Sequence, residues 1–146
     1  IHHVLYSYST DRFATLDEYL ERYPGDDVVD ILAFDLYDRG ADYPAVLKNC
    51  AEIVTSQAKQ RGKIAAVSET GGPIATNTEW WTETLLQTLH PYDLAYVLVW
   101  RNPWQPAGHG AFSAYKGSAD AENFIKFYND PKTVFQQEAT KLKLYK

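Results

Sequence analysis

Apolar runs and amphipathic segments alternate along the chain, and this alternation constrains the fold more than any other feature of the sequence. Short apolar runs predict four strands, over residues 4–8, 28–36, 64–67 and 94–100. Helical spacing of apolar residues predicts helices over residues 15–23, 44–61, 79–89, 119–128 and 132–142. A strand followed by a helix, four times over, is the pattern of parallel βα units.

Three of the helices carry end signals. Thr15 followed by Glu18 forms a capping box, and Gly62 is a natural C-terminal stop. Pro131 is expected in the first turn of the last helix. No linker, repeat or low-complexity segment interrupts the chain, so residues 1–146 are expected to form one domain. That domain is either a small open α/β sheet or part of a (β/α)8 barrel, of which four units are half.

Charge and composition argue against several classes of partner. The net charge is −5 and no stretch is rich in Lys or Arg, which disfavours nucleic acid or an anionic membrane surface. No apolar run approaches the roughly 20 residues of a membrane span. The single Cys50 cannot form an internal disulfide and is expected to be buried on a helix. The His residues lack metal-ligand spacing and no phosphate-binding glycine motif is present, so no metal or cofactor is predicted.

Polar or aromatic residues follow each predicted strand. In chain order they are Ser7, Ser9, Asp35, Tyr37, Asp38, Ser68, Glu69, Trp100, Arg101 and Asn102. Because the C-terminal ends of parallel strands meet at one edge of the sheet, these side chains are expected to stand together there. Taken singly, each of these residues could equally be an ordinary polar side chain that faces solvent at the end of a strand. The two indoles of the segment EWWTETLL at residues 79–86 are expected to pack in the core rather than to bind sugar.

Glu69 is the most informative of these residues, because a carboxylate that follows a buried strand needs either solvent or a site. Held by the phenol of Tyr37, beside the flat wall of Trp100 and the donors of Arg101 and Asn102, it fits glycoside hydrolysis. That reaction needs a second carboxyl group as proton donor. Asp35 is the nearest candidate by pattern.

Three motifs carry a resemblance to a known family. They are YPGDDVVDILAFDLYD at residues 23–38, KIAAVSETGG at residues 63–72 and YVLVWRN at residues 96–102. In order and spacing the chain resembles the C-terminal half of glycoside hydrolase family 26, the β-mannanase family of the clan of retaining glycosidases with (β/α)8 barrels. The resemblance implies an α/β fold whose parallel βα units form strands five to eight of such a barrel.

The resemblance also implies roles for individual residues. Glu69 is similar to the nucleophile that forms the glycosyl-enzyme, Tyr37 to the hydroxyl that orients it, and Asp35 to their neighbour in the site. Trp100 is similar to the aromatic floor under the sugar in the cleaved subsite. Arg101 and Asn102 are similar to contacts toward the next sugar.

One feature of the family pattern is absent from this sequence. The family's general acid/base is a glutamate that follows a histidine at the end of strand four, and these 146 residues contain no His-Glu pair. The sequence also contains no Met, as expected of a processed or partial chain. The expected partners are therefore β-mannan and the N-terminal half of the barrel, as a cleaved or separate chain. A second copy of this chain is the other way to cover the open sheet.

The resulting expectation is an endo-acting, retaining β-1,4-mannanase acting on mannan, glucomannan or galactomannan, exported from the cell and without a cofactor. The resemblance equally covers β-1,3-xylanases and mixed-linkage β-glucanases. A non-catalytic sugar-binding half-barrel is the alternative from another class.

Overall fold

The computed structural model describes residues 3–73, 75–100 and 112–144. The strands are β1 Ser7–Thr10, β2 Ile31–Tyr37, β3 Ile64–Gly71 and β4 Val97–Val99. The α-helices are α1 Leu16–Leu20, α2 Tyr43–Arg61, α3 Gln87–Leu89, α4 Ala121–Tyr128 and α5 Gln136–Lys141. A π-helical segment, π1, covers Trp80–Leu86 and runs directly into α3.

The four strands form one sheet in the order β1-β2-β3-β4, and every neighbouring pair is parallel. This confirms the parallel βα units predicted from the alternation. In a parallel pair, the C-terminal ends of the strands lie at the same edge, so the polar residues that follow them are brought to one side of the molecule.

One face of the sheet carries the core. Leu32, Phe34 and Val67 are fully buried there, and Leu47 and Val54 of α2 belong to the same cluster. Cys50, also on α2, is fully buried as predicted. This face is called the helix face below, and the opposite one the open face. Strand alternation places Ala33 and Ala66 on the open face.

Helix α2 ends where the sequence predicted. Pro44 lies in its first turn, and Gly62 follows its last residue with φ of 64°, in the left-handed conformation that glycine adopts without a Cβ clash. The capping box of α1 is also present. Thr15 Oγ1 accepts from the backbone N–H of Glu18 at 3.2 Å. The return bond goes one residue further back than the motif implies, because Glu18 Oε2 accepts from Ala14 N at 2.6 Å.

Strand boundaries differ from the predictions at most ends. The apolar run at residues 4–8 predicted the first strand, but pairing begins only at Ser7, and Leu5 and Tyr6 are mostly exposed. In the other direction, β3 continues past residue 67 through Ser68, Glu69 and Thr70 to Gly71. These polar residues remain in the strand because β2 and β4 flank it on both sides. Strand length follows hydrogen-bonding partners as well as side-chain polarity.

The helix predicted over residues 79–89 begins in another geometry. Gln87 N donates to the carbonyl of Thr82, five residues back, which is the hydrogen-bond spacing of a π-helix. The segment contains two adjacent indoles, and Trp80 and Trp81 are both buried. This confirms that they pack in the core. Each also donates to a different carboxylate, and the wider turn accommodates both contacts.

The start predicted for the last helix was wrong. The prediction placed Pro131 in its first turn, whereas α5 begins at Gln136. Local side-chain bonds shape the intervening residues instead. Asp130 Oδ1 accepts from Lys132 N at 2.9 Å, and Thr133 Oγ1 donates to the carbonyl of Phe127 at 2.8 Å. Such bonds satisfy the backbone in a turn and compete with helix formation.

Candidate active site

A β-bulge in β3 decides which way Glu69 points. Phe34 of β2 pairs with Val67, but the next residue, Asp35, pairs with Glu69, so Ser68 is an extra residue on β3. Regular alternation from Val67, whose side chain lies in the core on the helix face, would place Glu69 on that same apolar face. The extra residue shifts the alternation by one and puts Glu69 on the open face with Asp35.

Thr70 shows the other half of this shift. It pairs with Leu36 and is fully buried on the helix face. Thr70 Oγ1 donates to the carbonyl of Leu36 at 2.7 Å and lies 2.6 Å from the hydroxyl oxygen of Tyr43 at the start of α2. The strand therefore buries the hydroxyl of Thr70 with partners and leaves the carboxylate of Glu69 at the open face.

Tyr37 holds the carboxylate of Glu69. Its hydroxyl donates to Glu69 Oε2 at 2.7 Å, and both side chains are half-buried. Burial, and next the hydrogen bond to Glu69, raise the pKa of the Tyr37 phenol above its usual value. The phenol therefore stays protonated, and remains a hydrogen-bond donor to Glu69, over the whole neutral range. The other carboxylate oxygen, Oε1, makes no hydrogen bond to any of the described residues.

Asp35 is held by hydroxyl groups of two neighbouring strands. Its Oδ1 accepts from Ser68 Oγ at 2.7 Å and from Ser9 Oγ at 3.0 Å. The two serine oxygens are 2.5 Å apart, which links β1, β2 and β3 at one level of the sheet. The strand-end residues Ser9, Asp35, Tyr37, Ser68 and Glu69 are therefore brought together as predicted.

Trp100 follows β4 beside this cluster. Its backbone N–H donates to the carbonyl of Thr70 at 2.8 Å, which keeps it in register with β3. Its side chain is 39% exposed, a large fraction for an indole. Arg101 and Asn102, predicted to contact sugar, lie outside the described residues.

Three contacts that involve aromatic rings at the same strand ends were not predicted. Trp80 Nε1 donates to Oδ2 of Asp38, the residue directly after Tyr37, at 3.1 Å. A Cβ atom on Gly71 would lie 2.7 Å from the ring of Phe112, and that ring stands 5.3 Å from the ring of Tyr37. The Gly71-Gly72 pair is the signal that was available in the sequence, because adjacent glycines mark a close backbone approach.

The described residues contain no cluster of three or more His, Cys, Asp or Glu side chains arranged to hold a metal ion. Within the same ranges, no helix is both long and apolar enough to cross a membrane. A cavity of about 500 Å³ opens beside Asp38 and Arg39, but Glu69, Tyr37 and Trp100 are not part of its lining. The cavity and the cluster around Glu69 are therefore separate places, and the candidate site is the cluster at the open strand ends.

Comparison with known proteins points to one family. The sequence pattern of glycosyl hydrolase family 26 matches residues 1–102. A mannan endo-1,4-beta-mannosidase of Bifidobacterium adolescentis is 31% identical over 92% of this chain, which corresponds to 15% of that protein. A family 26 beta-mannanase structure from Bacteroides ovatus superposes with a TM-score of 0.87 at 39% identity, over 92% of this chain and 39% of that one.

A third relative agrees with these. The catalytic domain of an endo-beta-1,4-mannanase from Bacillus sp. JAMB-750 matches 97% of this chain and 42% of its own length, with a TM-score of 0.82 and 28% identity. The chain thus spans about two fifths of each of these two structures. Its four parallel βα units correspond to the second half of a (β/α)8 barrel, which confirms the predicted fold class.

Proposed function

The chain belongs to glycosyl hydrolase family 26, and from this premise we propose that it supplies the nucleophile side of an active site that hydrolyses internal β-1,4-mannosidic bonds with retention of configuration. The hydrogen bond from the Tyr37 hydroxyl to Glu69 Oε2 carries the proposal, because it fixes the orientation of this carboxylate at the open strand ends. The names of the relatives, which are mannanases, support mannan, glucomannan or galactomannan as the substrate.

In the first step Glu69 Oε1 attacks the anomeric carbon, and the bond from that carbon to the leaving oxygen breaks. The leaving oxygen takes a proton from a carboxylic acid, and water then releases the sugar from Glu69. Tyr37 keeps the carboxylate in the orientation for attack. Trp100 offers a flat surface to the reacting sugar, and Arg101 and Asn102 offer donors to the next one.

Asp35 is a supporting group in this proposal rather than the proton donor. Its Oδ1 is already engaged with the hydroxyl groups of Ser68 and Ser9, which hold it in the link between three strands. Since the sequence lacks the family's His-Glu pair, we place the acid outside these 146 residues. The N-terminal half of the barrel, on the same or a separate chain, would supply it, and a second copy of the chain is the alternative partner. Because polysaccharides such as mannan are met outside cells, export of the protein belongs to the same proposal.

A mannosyl donor with an activated leaving group tests Glu69 independently of the acid. A 2,4-dinitrophenyl 2-deoxy-2-fluoro-β-mannoside releases dinitrophenolate, which needs no proton, and transfers its fluorosugar to the nucleophile. We expect intact mass to show one fluoromannosyl adduct and peptide mapping to place it on Glu69. Glu69→Gln should remove the adduct, whereas Glu83→Gln, at an exposed position on π1, should keep it.

An adduct on another residue, or one that survives Glu69→Gln, would refute Glu69 as the nucleophile. No adduct on a chain that still binds mannan would instead support a non-catalytic sugar-binding role. A panel of mannan, β-1,3-xylan and mixed-linkage glucan, assayed with the protein expressed from its complete coding sequence, separates the three substrates.

A further inference from the structure

Trp80 contacts the ends of both strands that carry the reacting pair. It lies on π1, outside the sheet, and its side chain is fully buried. Its indole N–H donates to Asp38, the residue that follows Tyr37. Its five-membered ring lies against Gly72, three residues after Glu69, so closely that a Cβ atom there would overlap the ring.

The Asp38 carboxylate is fixed on both sides. While Oδ2 accepts from Trp80, Oδ1 accepts from the backbone N–H of Gly40 at 3.2 Å. The backbone N–H of Asp38 in turn donates to the carbonyl of Gly71 at 2.9 Å. Asp38 therefore joins π1, the loop after β2 and the end of β3 in one arrangement.

The Tyr37 and Glu69 side chains project from the two strand ends that these contacts join. Tyr37 pairs with Gly71, immediately before the glycine on which the indole rests. A shift of either strand end would change the 2.7 Å separation between the Tyr37 hydroxyl and Glu69 Oε2. The contacts of Trp80 thus connect this bond to a side chain that touches neither of its two atoms.

We propose that Trp80 is a positioning residue that sets the Tyr37–Glu69 pair through Asp38 and Gly72. The inference rests on the proposed function, since it concerns the nucleophile of that reaction. Trp80 itself is buried behind the strand ends and contacts no substrate. Its contribution is to hold the two strand ends in the relative position that the attack requires.

Trp81 provides a matched control. It is the next residue on π1, it is 2% exposed, and its indole N–H donates to the buried Asp120 at 2.6 Å. Its ring packs against Phe124 and Phe127 and also edge-to-face against Trp80, at a centroid distance of 5.2 Å, but its indole N–H bonds to Asp120 and not to Asp38. Trp80→Phe and Trp81→Phe therefore remove the same donor from equally buried positions, but only the first donor reaches the strand ends.

The test measures kcat and KM for mannan hydrolysis by the protein expressed from its complete coding sequence. We expect Trp80→Phe to lower kcat about 10- to 100-fold with KM within about twofold, as for a misplaced reacting group. We expect Trp81→Phe to lower the melting temperature at least as much as Trp80→Phe does, because Asp120 is fully buried and its Oδ1 has no other partner among the described residues, but to leave kcat within about twofold. Equal kcat losses in the two variants would show that Trp80 has only a structural role and would overturn the inference.

A double-mutant cycle adds a second readout. If Trp80 acts through Tyr37, then Trp80→Phe should cause little further loss of kcat in a Tyr37→Phe background, so the two effects are not additive. Full additivity would contradict the proposed coupling. Failure of the proposed function is distinguishable, because Glu69→Gln would then retain activity whatever the Trp80 variants do.

Discussion

At the residue scale, the hydroxyl of Tyr37 is the group on which the orientation of Glu69 depends. It is the hydrogen-bond donor that the described residues present to this carboxylate. The ring of Tyr37 packs against Phe112, so a Phe at this position removes the hydroxyl and keeps the ring. This separation of ring and hydroxyl makes the contribution of the hydrogen bond measurable.

Tyr37→Phe should therefore lower kcat strongly and change the free energy of unfolding little. Loss of a hydrogen bond to a charged group costs about 1.5–3 kcal/mol, which corresponds to roughly a 10- to 150-fold lower kcat if the bond is needed in the transition state. Steady-state kinetics of the protein from its complete coding sequence measure this loss. Tyr115→Phe, at a 57% exposed position, serves as control. A variant with the wild-type kcat would show that Tyr37 does not orient the nucleophile.

The buried phenol of Tyr43 should make the folded protein less stable at alkaline pH. Tyr43 is 2% exposed, and burial raises the pKa of its phenol above the ordinary value of 10.0. The folded protein thus retains a proton that the unfolded chain loses above pH 10, so stability is complete below that pH and falls as pH rises toward the folded pKa. Each such tyrosine contributes a slope of about 1.4 kcal/mol per pH unit.

Urea unfolding between pH 9 and 11 measures this slope. Tyr43→Phe should be less stable than wild type at pH 8 but should lose stability less steeply above pH 10. Parallel curves for the two proteins would contradict the assignment of the proton to Tyr43.

At the scale of elements, the bulge in β3 determines which of its polar side chains lie on the helix face and which on the open face. It moves Thr70 to the helix face, where Tyr43 and the carbonyl of Leu36 are its partners. It moves Glu69 to the open face, beside Asp35. The same inserted residue therefore satisfies a buried hydroxyl and leaves the Glu69 carboxylate at the open face.

The bulge predicts energetic coupling between β3 and α2. Thr70→Val leaves the buried hydroxyl of Tyr43 without this partner and should lower the free energy of unfolding by about 1–3 kcal/mol. The double variant Thr70→Val/Tyr43→Phe should lose less than the sum of the single losses, because both partners are removed together. If β3 were regular, Thr70 would face away from Tyr43 and the two losses would add. Denaturant unfolding of the four proteins decides between these outcomes.

At the scale of the whole molecule, the open face carries exposed apolar side chains. Ile64 on β3 is 39% exposed, and Tyr96 and Leu98 near and on β4 are 41% exposed. Alternation with core residues such as Ala65, Val97 and Val99 places Ile64 and Leu98 on this face. Contiguous exposed apolar surface favours association.

The 146-residue chain expressed by itself should therefore self-associate with rising concentration. Leu98→Lys, which puts a charge on the open face, should shift sedimentation velocity toward the 16.6 kDa monomer. Ile125→Lys, at a 57% exposed position on α4, should leave association unchanged. A wild-type chain that stays monomeric at all concentrations, or an equal effect of both substitutions, would show that the open face is not the contact surface.

Much of this architecture was predictable from local patterns. The alternation of apolar runs and helical spacing predicted parallel βα units, and Gly62 marked the end of α2. The resemblance to family 26 was confirmed by the match to residues 1–102. Strand ends, the π-helical geometry of π1 and the start of α5 were less predictable, because pairing partners and contacts distant in the chain or local turn bonds set them. The catalytic roles of Glu69, Tyr37, Asp35 and Trp100 remain predictions.

The sequence by itself determined which strands and helices form and in what order, because apolar periodicity and turn residues act over a few neighbouring positions. Only the tertiary structure decided where their side chains point. The direction of Glu69 depends on the bulge in the pairing of β2 with β3. The hydrogen bond of Trp80 joins π1 to Asp38, and these lie about 40 residues apart in the chain. A one-residue shift of register turns a side chain to the opposite face, and no local pattern records that shift.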